Sequence, residues 1–371
     1  MLPRRAYLGV ELPADSIAFS DGKLAIAGVL VGGMAEAARL VAGDRILAIA
    51  GVPVRELCDL GEALRRAGAM RSAVLAVERG STVLELETPV IAAPRDPDAT
   101  YGELAGLRTL ATAATNARGV IVMIGGIACE SVESGAFASL AHAWTRGGYH
   151  TLRFDKRGVG DSEGGPCRDV DFASELADAR AVVAHARTYG QPVVVFGHSV
   201  GGIIAAQLAT AAPELADALI VYGTPVMRWL DCLRDSTRRQ LELQLAPAEL
   251  IAARVAALDD LLVRGELNGR SAAYHAQLHA LDLEAAWRAV TAPVLVVRGE
   301  HDWVVAAADQ ARIVELAQSK VTGVVDVPRL DHVLGAHVDR DASLRDYGAG
   351  EPDDAVAAAT LRWLAAVDLA R

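Results

Sequence analysis

Ser199 stands in the sequence setting that a nucleophile requires. The chain reads QPVVVFGHSVGGIIAAQLA from Gln191, with Ser199 at the centre of a G-x-S-x-G motif. This stretch predicts an apolar strand, a sharp turn and a helix of small residues, which together present a serine hydroxyl at the edge of a sheet. Gly197 and Gly201 keep side chains out of that strained turn. The chemistry indicated is attack on a carbonyl carbon.

A serine hydroxyl attacks only when a base takes its proton and a third group orients that base. After the apolar run PVLVVRG, the sequence supplies Asp302, which we assign as the acid, with Glu300 and Asp309 as alternatives. Asp302 could also cap the helix that follows it. After the run GVVDV, the sequence supplies His332, which we assign as the base in preference to His337.

The order Ser199, Asp302, His332, each on a loop after a strand, agrees with that of the α/β-hydrolases. From about Tyr101 to its end, the chain resembles this superfamily, and particularly its capped serine-aminopeptidase, monoglyceride-lipase and small-esterase members. The segment RFDKRGVGDSEG, from Arg153, is similar to the D-x-R-G-x-G-x-S loop of the family. That loop is mainly structural in the resemblance.

The developing oxyanion needs two backbone N–H donors. One is expected from Val200, directly after the nucleophile. The resemblance aligns the family's H-G-x motif with the loop after GVIVMI, so that Gly126 takes the glycine position and Ile127 supplies the second amide. Gly125 stands where the family usually has histidine. Since the donor is a backbone group, this departure leaves it in place.

The substrate pocket is expected to include Gly126, Cys129, His198 and Trp303, which flank these positions. Cys129 could line the acyl pocket or fill a small buried space. His198 and His301 are expected to shape the pocket without carrying protons.

The four cysteines, Cys58, Cys129, Cys167 and Cys232, have no metal-ligand or disulfide spacing, so free thiols are predicted. His275 and His279 lie one helical turn apart, but no carboxylate stands at a fitting offset. We therefore interpret them as cap surface or pocket lining. No metal and no organic cofactor is expected.

The elements that position these residues fall into two parts. Short β-like runs and one helix (RELCDLGEALRRAG) make up residues 1–92, and a Pro- and Asp-rich linker follows at 93–100. From 101 to 371, apolar runs alternate with helical segments, which predicts a mostly parallel sheet with helices on both faces. The alternation stops at about 224–290, where a helical cap is predicted.

Residues 1–92 resemble a bacterial PDZ domain over nearly their whole length. Y-L-G-V at Tyr7 corresponds to the carboxylate-binding loop, GDRILAIAGVPV to a characteristic strand pair, and the helix at 56–67 to a groove wall. The resemblance implies capture of an extended peptide by strand addition. The alternative is a structural prop that packs on the second part or dimerises it. Tyr7 replaces the first glycine of the loop.

The formal net charge of -11 argues against nucleic acid or an anionic membrane surface as partner. The sequence shows neither an apolar signal segment nor a stretch near the ~18 apolar residues of a membrane span, so the cytoplasm is expected. The expected activity is hydrolysis of a carboxylic ester or thioester that is small, carrier-linked or peptide-linked. Peptidase, acyl-transfer or chain-release activity and non-catalytic binding are the alternatives, and a homodimer is possible.

Overall fold

The computed structural model describes residues 2–13, 23–319, 322–367 and 369. The end of the PDZ-like segment AYLGVELPADS lies outside these residues. We call residues 2–13 and 23–92 the amino-terminal unit. Its elements are β1 Val10–Glu11, β2 Leu24–Ala25, β3 Gly28–Val29, α1 Met34–Ala37, β4 Arg45–Ile49, β5 Val52–Pro53, α2 Leu57–Gly68, β6 Ser72–Arg79 and β7 Thr82–Pro89.

The amino-terminal unit is built on an antiparallel sheet in the order β2-β4-β6-β7, with β5 paired to β4. Strand β6 alternates buried and more accessible residues, since only one face of the sheet is covered. Ile46, Leu75 and Val77 on the covered face are fully buried, together with Ala63 and Ala67 of α2. One side of the sheet and one side of α2 therefore form the core of this unit.

We call residues 100–367 the carboxyl-terminal unit. Its strands and helices are β8 Thr100–Leu104, β9 Leu107–Thr112, β10 Val120–Ile124, α3 Gly135–Arg146, β11 His150–Phe154, α4 Phe172–Ala186, β12 Val193–His198, α5 Val200–Ala211, β13 Ala218–Tyr222, α6 Trp229–Leu243, α7 Ala248–Ala256, β14 Glu266–Leu267, β15 Arg270–Ser271, α8 Ala272–Ala280, α9 Leu283–Ala289, β16 Val294–Gly299, α10 Ala307–Leu316, β17 Thr322–Val327, β18 Gly335–Ala336, α11 Arg340–Arg345, β19 Glu351–Pro352 and α12 Ala355–Ala366.

An eight-stranded sheet runs in the order β17-β16-β13-β12-β10-β11-β9-β8. The six strands from β17 to β11 along this path are parallel, and β9 and β8 continue the sheet antiparallel. Strands β10, β12 and β13 are buried at every residue because helices cover both faces. Helices α4, α5, α9 and α10 lie on one face, and α3 and α12 on the other. The carboxyl ends of the parallel strands thus meet at one edge.

The insertion between β13 and β16 holds α6 to α9 and the short β14–β15 hairpin. Trp229 and Leu233 of α6 and Leu278 of α8 join the core on the α5 face. His275 is fully buried within the insertion, where its ring stacks on Trp229 and its Nε2 bonds the carbonyl of Leu267 at 3.0 Å. The expectation that His275 lies on the surface or lines a pocket is therefore wrong, because apolar insertion residues enclose it.

Cys129 and Cys167 form a disulfide, so the prediction of four free thiols is wrong for this pair. They lie in the loops after β10 and β11, and neighbouring parallel strands bring these loops together. A separation of 38 residues gives no sequence signal of that proximity. Cys58 and Cys232 are free, as predicted.

The two units make polar contacts. Arg4 pairs with Glu133 and Asp161, and Arg108 donates to the carbonyl of Leu2 at 3.0 Å. At a second contact, Arg168 pairs with Glu56 and Asp59 at the start of α2. The first residues of the chain are therefore held by strand β9 and two loops of the carboxyl-terminal unit. Among the described residues, no helix is both long and apolar enough to cross a membrane.

Candidate active site

Ser199 occupies the turn between β12 and α5. Its backbone has φ 53° and ψ −119°, a strained conformation for a residue with a side chain. A Cβ at Gly197 would lie 2.5 Å from the carbonyl oxygen of Gly201, and one at Gly201 would lie 2.3 Å from the carbonyl oxygen of Ile124. These contacts confirm that the turn has no room for side chains at either glycine.

Asp302 and His332 meet on the loops after β16 and β17. His332 Nδ1 and Asp302 Oδ2 are 3.0 Å apart, and both side chains are almost fully buried. Asp302 Oδ1 accepts the backbone amides of Val304 and Val305, both at 2.9 Å. Burial alone would raise the pKa of Asp302, but the charge and hydrogen bond of His332, together with the two amides, hold this pKa below its ordinary value. The carboxylate is thus ionised and oriented to stabilise an imidazolium.

His332 lies close to the turn that carries the serine. His198 Nε2 is 2.8 Å from the carbonyl oxygen of His332, and the two rings are 5.1 Å apart. Within the described residues, the His332 ring is hydrogen-bonded at Nδ1 only, and the Ser199 hydroxyl makes no hydrogen bond. Nε2 therefore remains the nitrogen that can take a proton. Serine–histidine bonds often tighten only when substrate binds.

The alternative acids and base have other partners. The Glu300 carboxylate accepts the amide of Arg329 at 3.0 Å, and the Asp309 carboxylate accepts the amide of Val226 at 2.9 Å. His337 forms a separate pair with Asp331 at 3.0 Å. The geometry thus joins only Asp302 to His332 among these candidates.

Gly126 and Ile127 lie on the loop after β10, next to the serine. A Cβ at Gly126 would lie 3.3 Å from the Cβ of Ser199 and 2.9 Å from His198 Nδ1, so the loop backbone closely approaches the turn. Val200 is the first residue of α5, and its amide belongs to the positive end of the helix. The structure therefore brings both expected donor residues near Ser199.

Three buried charged residues around this loop were missed by the sequence analysis. Lys156 Nζ donates to the carbonyl of Gly126, Arg270 Nε donates to the carbonyl of Ile127 at 2.9 Å, and Glu175 pairs with both cations at 2.7 Å. Lys156 falls within the D-x-R-G-like loop, so that motif indicated its place in the fold. No sequence motif located Arg270 or Glu175.

The predicted pocket residues differ in their surroundings. Burial, with the charge of His332, lowers the pKa of His198 to about 3, so the ring is neutral. Trp303 is buried against Tyr347, with ring centroids 4.9 Å apart. Cys129 is half-buried and oxidised, so it offers no thiol to an acyl pocket.

One group of potential metal ligands occurs among the described residues. Ligand atoms of Asp96, Asp98 and His142 lie within 4.8 Å of one another. Arg153 and His142 already pair with the Asp96 carboxylate, at 2.5 Å and 3.0 Å. Because the cationic Arg153 already pairs with Asp96, we interpret the group as an ion-pair cluster at the linker.

Comparisons with known proteins identify the family and the fold of the chain. The sequence model of the family described as "Serine aminopeptidase, S33" matches residues 115–336, more than half of the chain. Est1E from Butyrivibrio proteoclasticus superposes with a TM-score of 0.50 at 17% identity, covering 72% of this chain and 98% of that one. DcsB, solved with a substrate analogue, gives the same four values.

A curated relative matches a shorter stretch. The quorum-quenching protein AidA of Acinetobacter baumannii (strain MDR-ZJ06) is 37% identical over 91 residues, 24% of this chain. The match spans 29% of the length of AidA. The carboxyl-terminal unit has the α/β-hydrolase fold, and the chain belongs to the serine aminopeptidase S33 family.

Proposed function

We propose that the protein is a serine hydrolase that cleaves a carboxylic ester or thioester through an acyl-enzyme intermediate. The observation that carries the proposal is the convergence of a strained serine turn and a buried His332–Asp302 pair at one edge of the sheet. Ser199 is the nucleophile, His332 the base and Asp302 the orienting acid. Family membership supports hydrolysis as the reaction class.

In the proposed reaction, His332 Nε2 takes the Ser199 proton as the serine oxygen attacks the acyl carbon. Asp302 stabilises the imidazolium that forms. The amides of Ile127 and Val200 hold the oxyanion, and loss of one such donor typically costs about 3 kcal/mol of barrier. His332 then gives its proton to the departing alcohol or thiol, and activates water for the second half-reaction. No step of this proposal uses a metal or cofactor.

The test is labelling and turnover with matched variants. A fluorophosphonate probe should label wild-type protein at Ser199, located by peptide mass spectrometry, and Ser199→Ala should take no label while keeping its thermal unfolding transition. Short acyl esters, acyl thioesters and aminoacyl amides are then compared as substrates. Preference for amides with a free amino end would replace ester hydrolysis by aminopeptidase activity. A folded wild-type protein without label would refute the serine mechanism.

For the amino-terminal unit, we propose a PDZ-like module docked on the hydrolase. Arg168 of the carboxyl-terminal unit pairs with Glu56 at 3.0 Å and with Asp59, at the start of α2. Cys58 lies between these two carboxylates in sequence and contacts Gly269. These contacts favour an intramolecular prop over an open peptide groove.

Removal of residues 1–92 tests the module. Loss of solubility or of the unfolding transition supports the prop, whereas loss of activity on large substrates alone supports recruitment of a peptide-linked or carrier-linked acyl group. Size measurements on both proteins test whether the chain forms a homodimer. Nucleic acid and membranes are not proposed as partners.

We propose that the protein is cytoplasmic and that the Cys129–Cys167 disulfide forms and breaks with the redox state of that compartment. Structural disulfides are rare in that compartment, and those present are usually redox-active. The test is alkylation of cells before lysis, followed by mapping of Cys129 and Cys167. A fully oxidised pair in an extracytoplasmic fraction would refute this location.

A further inference from the structure

Lys156 donates to the carbonyl of the peptide group whose N–H is the proposed oxyanion donor. The carbonyl of Gly126 and the amide of Ile127 belong to the same peptide group, and Lys156 Nζ bonds that carbonyl. The described residues contain no cis peptide bond. In a trans peptide, the C=O and N–H groups point in opposite directions. Fixing the carbonyl on Lys156 therefore fixes the direction of the Ile127 N–H.

The charge of Lys156 acts through the same peptide. A hydrogen bond from a cation to a carbonyl polarises the peptide group, and its N–H becomes a stronger donor. The ammonium group is also a fixed positive charge one peptide away from the site where the oxyanion develops. Such preorganised charge is most effective where water is excluded, and the Lys156 side chain is only 8% exposed.

Two further features support this arrangement. Arg270, fully buried, donates to the next carbonyl, that of Ile127, and Glu175 bridges the two cations. Gly125 stands where the family it resembles usually has histidine, and it leaves space for the Lys156 side chain. A Cβ at position 125 would lie 4.0 Å from Lys156 Cε. A larger side chain at position 125 would compete with the Lys156 side chain for that volume.

We propose that charged Lys156 is a positioning residue for catalysis, which aligns and polarises the Gly126–Ile127 peptide as an oxyanion donor. The proposal rests on the serine-hydrolase function proposed above. It gives Lys156 a role in the rate of acylation and little role in ground-state binding.

The same geometry implies a pH dependence. The titratable and charged groups facing Lys156 are Glu175 of α4, Arg270 of β15, Glu130 of the oxyanion loop and His198 at the end of β12. Burial first, and then the charge of Arg270, lower the pKa of Lys156 to about 8 against the opposing effect of Glu175. The ammonium group is therefore lost as the pH rises through about 8, and the neutral amine polarises the peptide less.

The experiment compares kcat and KM for a short 4-nitrophenyl ester across pH 6 to 10 in three proteins. The kcat of wild type should fall about tenfold as the pH rises, with a midpoint near pH 8. The size of this loss is the difference between a charge-assisted and a neutral hydrogen-bond donor. Lys156→Met should show kcat about 10- to 100-fold lower at pH 7, with KM within about threefold and no alkaline loss. Lys156→Arg should retain most of kcat and keep it to pH 10, because guanidinium stays charged.

Arg157→Met is the matched control. Arg157 is the next residue on the same loop, but its guanidinium pairs with Asp178 at 2.7 Å. This variant should keep both the wild-type kcat and the alkaline loss. The pH profile of Lys156→Arg decides the question even where Lys156→Met fails to fold.

Two outcomes would overturn the proposal: an unchanged kcat in Lys156→Met, or a Lys156→Arg profile that still falls near pH 8. The serine-hydrolase function fails separately. In that case, wild type takes no fluorophosphonate label and hydrolyses no ester, whereas failure of the Lys156 proposal alone leaves both intact.

Discussion

Asp302→Asn is the most informative single substitution, because the structure dictates how the new amide must orient. Oδ1 of Asp302 accepts the amides of Val304 and Val305, whereas Oδ2 faces His332 Nδ1 and Gln310 Nε2. An asparagine that keeps its oxygen on the two amides places its NH₂ group against His332. Nδ1 must then accept, so Nε2 carries the proton and cannot take one from Ser199.

The size of the expected loss in kcat follows from the alternative orientation of the asparagine amide. An asparagine that turns its oxygen toward His332 leaves two buried backbone amides facing an NH₂ group, at about 1–3 kcal/mol each. The active tautomer therefore costs about 2–6 kcal/mol, which corresponds to a loss of about 30-fold to 10⁴-fold. Loss of the carboxylate charge moves the expected value to the upper end, near 10³–10⁴ in kcat.

The assay is kcat for a short 4-nitrophenyl ester at pH 7.5, with circular dichroism to verify folding. Asp309→Asn is the control, since that carboxylate accepts the amides of Val226 and Met227 and has no hydrogen bond to a histidine among the described residues. Its kcat should stay within about threefold of wild type. A folded Asp302→Asn protein with kcat within tenfold of wild type would refute the assignment, as would an equal loss in Asp309→Asn.

Two further predictions concern stability. Reduction of the Cys129–Cys167 disulfide should lower the free energy of unfolding by about 4 kcal/mol, because the bond closes a 38-residue loop. Reduction should also lower kcat, because it frees the oxyanion loop. Denaturation with and without reductant measures the change in stability, and the control variant Cys58→Ser should remain sensitive to reductant. Acidification below about pH 6.5 should destabilise the fold by roughly 1 kcal/mol per pH unit, because the unfolded chain protonates His198 while the buried ring, with its pKa near 3, does not. His198→Gln should remove that part of the slope in urea titrations, and an unchanged slope would contradict the explanation.

The catalytic candidates could be found from sequence because each depends on local signals. Ser199 sits in a five-residue motif with a recognisable strand and helix, and the six parallel strands read as near-continuous apolar runs. Asp302 and His332 follow two of these runs directly. Parallel topology then brings all three residues to the same edge.

The supporting contacts could not be found in this way. Lys156, Glu175 and Arg270 come from three elements, and their pairing depends on how the β14–β15 hairpin packs on the loops of the sheet. The Cys129–Cys167 disulfide likewise joins residues far apart in sequence, which the neighbouring strands β10 and β11 bring together. The β8–β9 hairpin was also missed as a strand pair, because its outer strand mixes polar residues and glycine with few apolar ones.

The contacts made by the first residues of the chain constrain the order of assembly during synthesis. Arg4 leaves the ribosome before Glu133 and Asp161, which follow it 129 and 157 residues later in the chain. The amino-terminal unit can fold first, as domains generally do, but its leading segment must wait for these partners. Until Arg4 docks, the carboxylates of Glu133 and Asp161 lack that neutralising charge. Docking of the segment around Arg4 is therefore a late step, because it requires residues that are translated well after the amino-terminal unit.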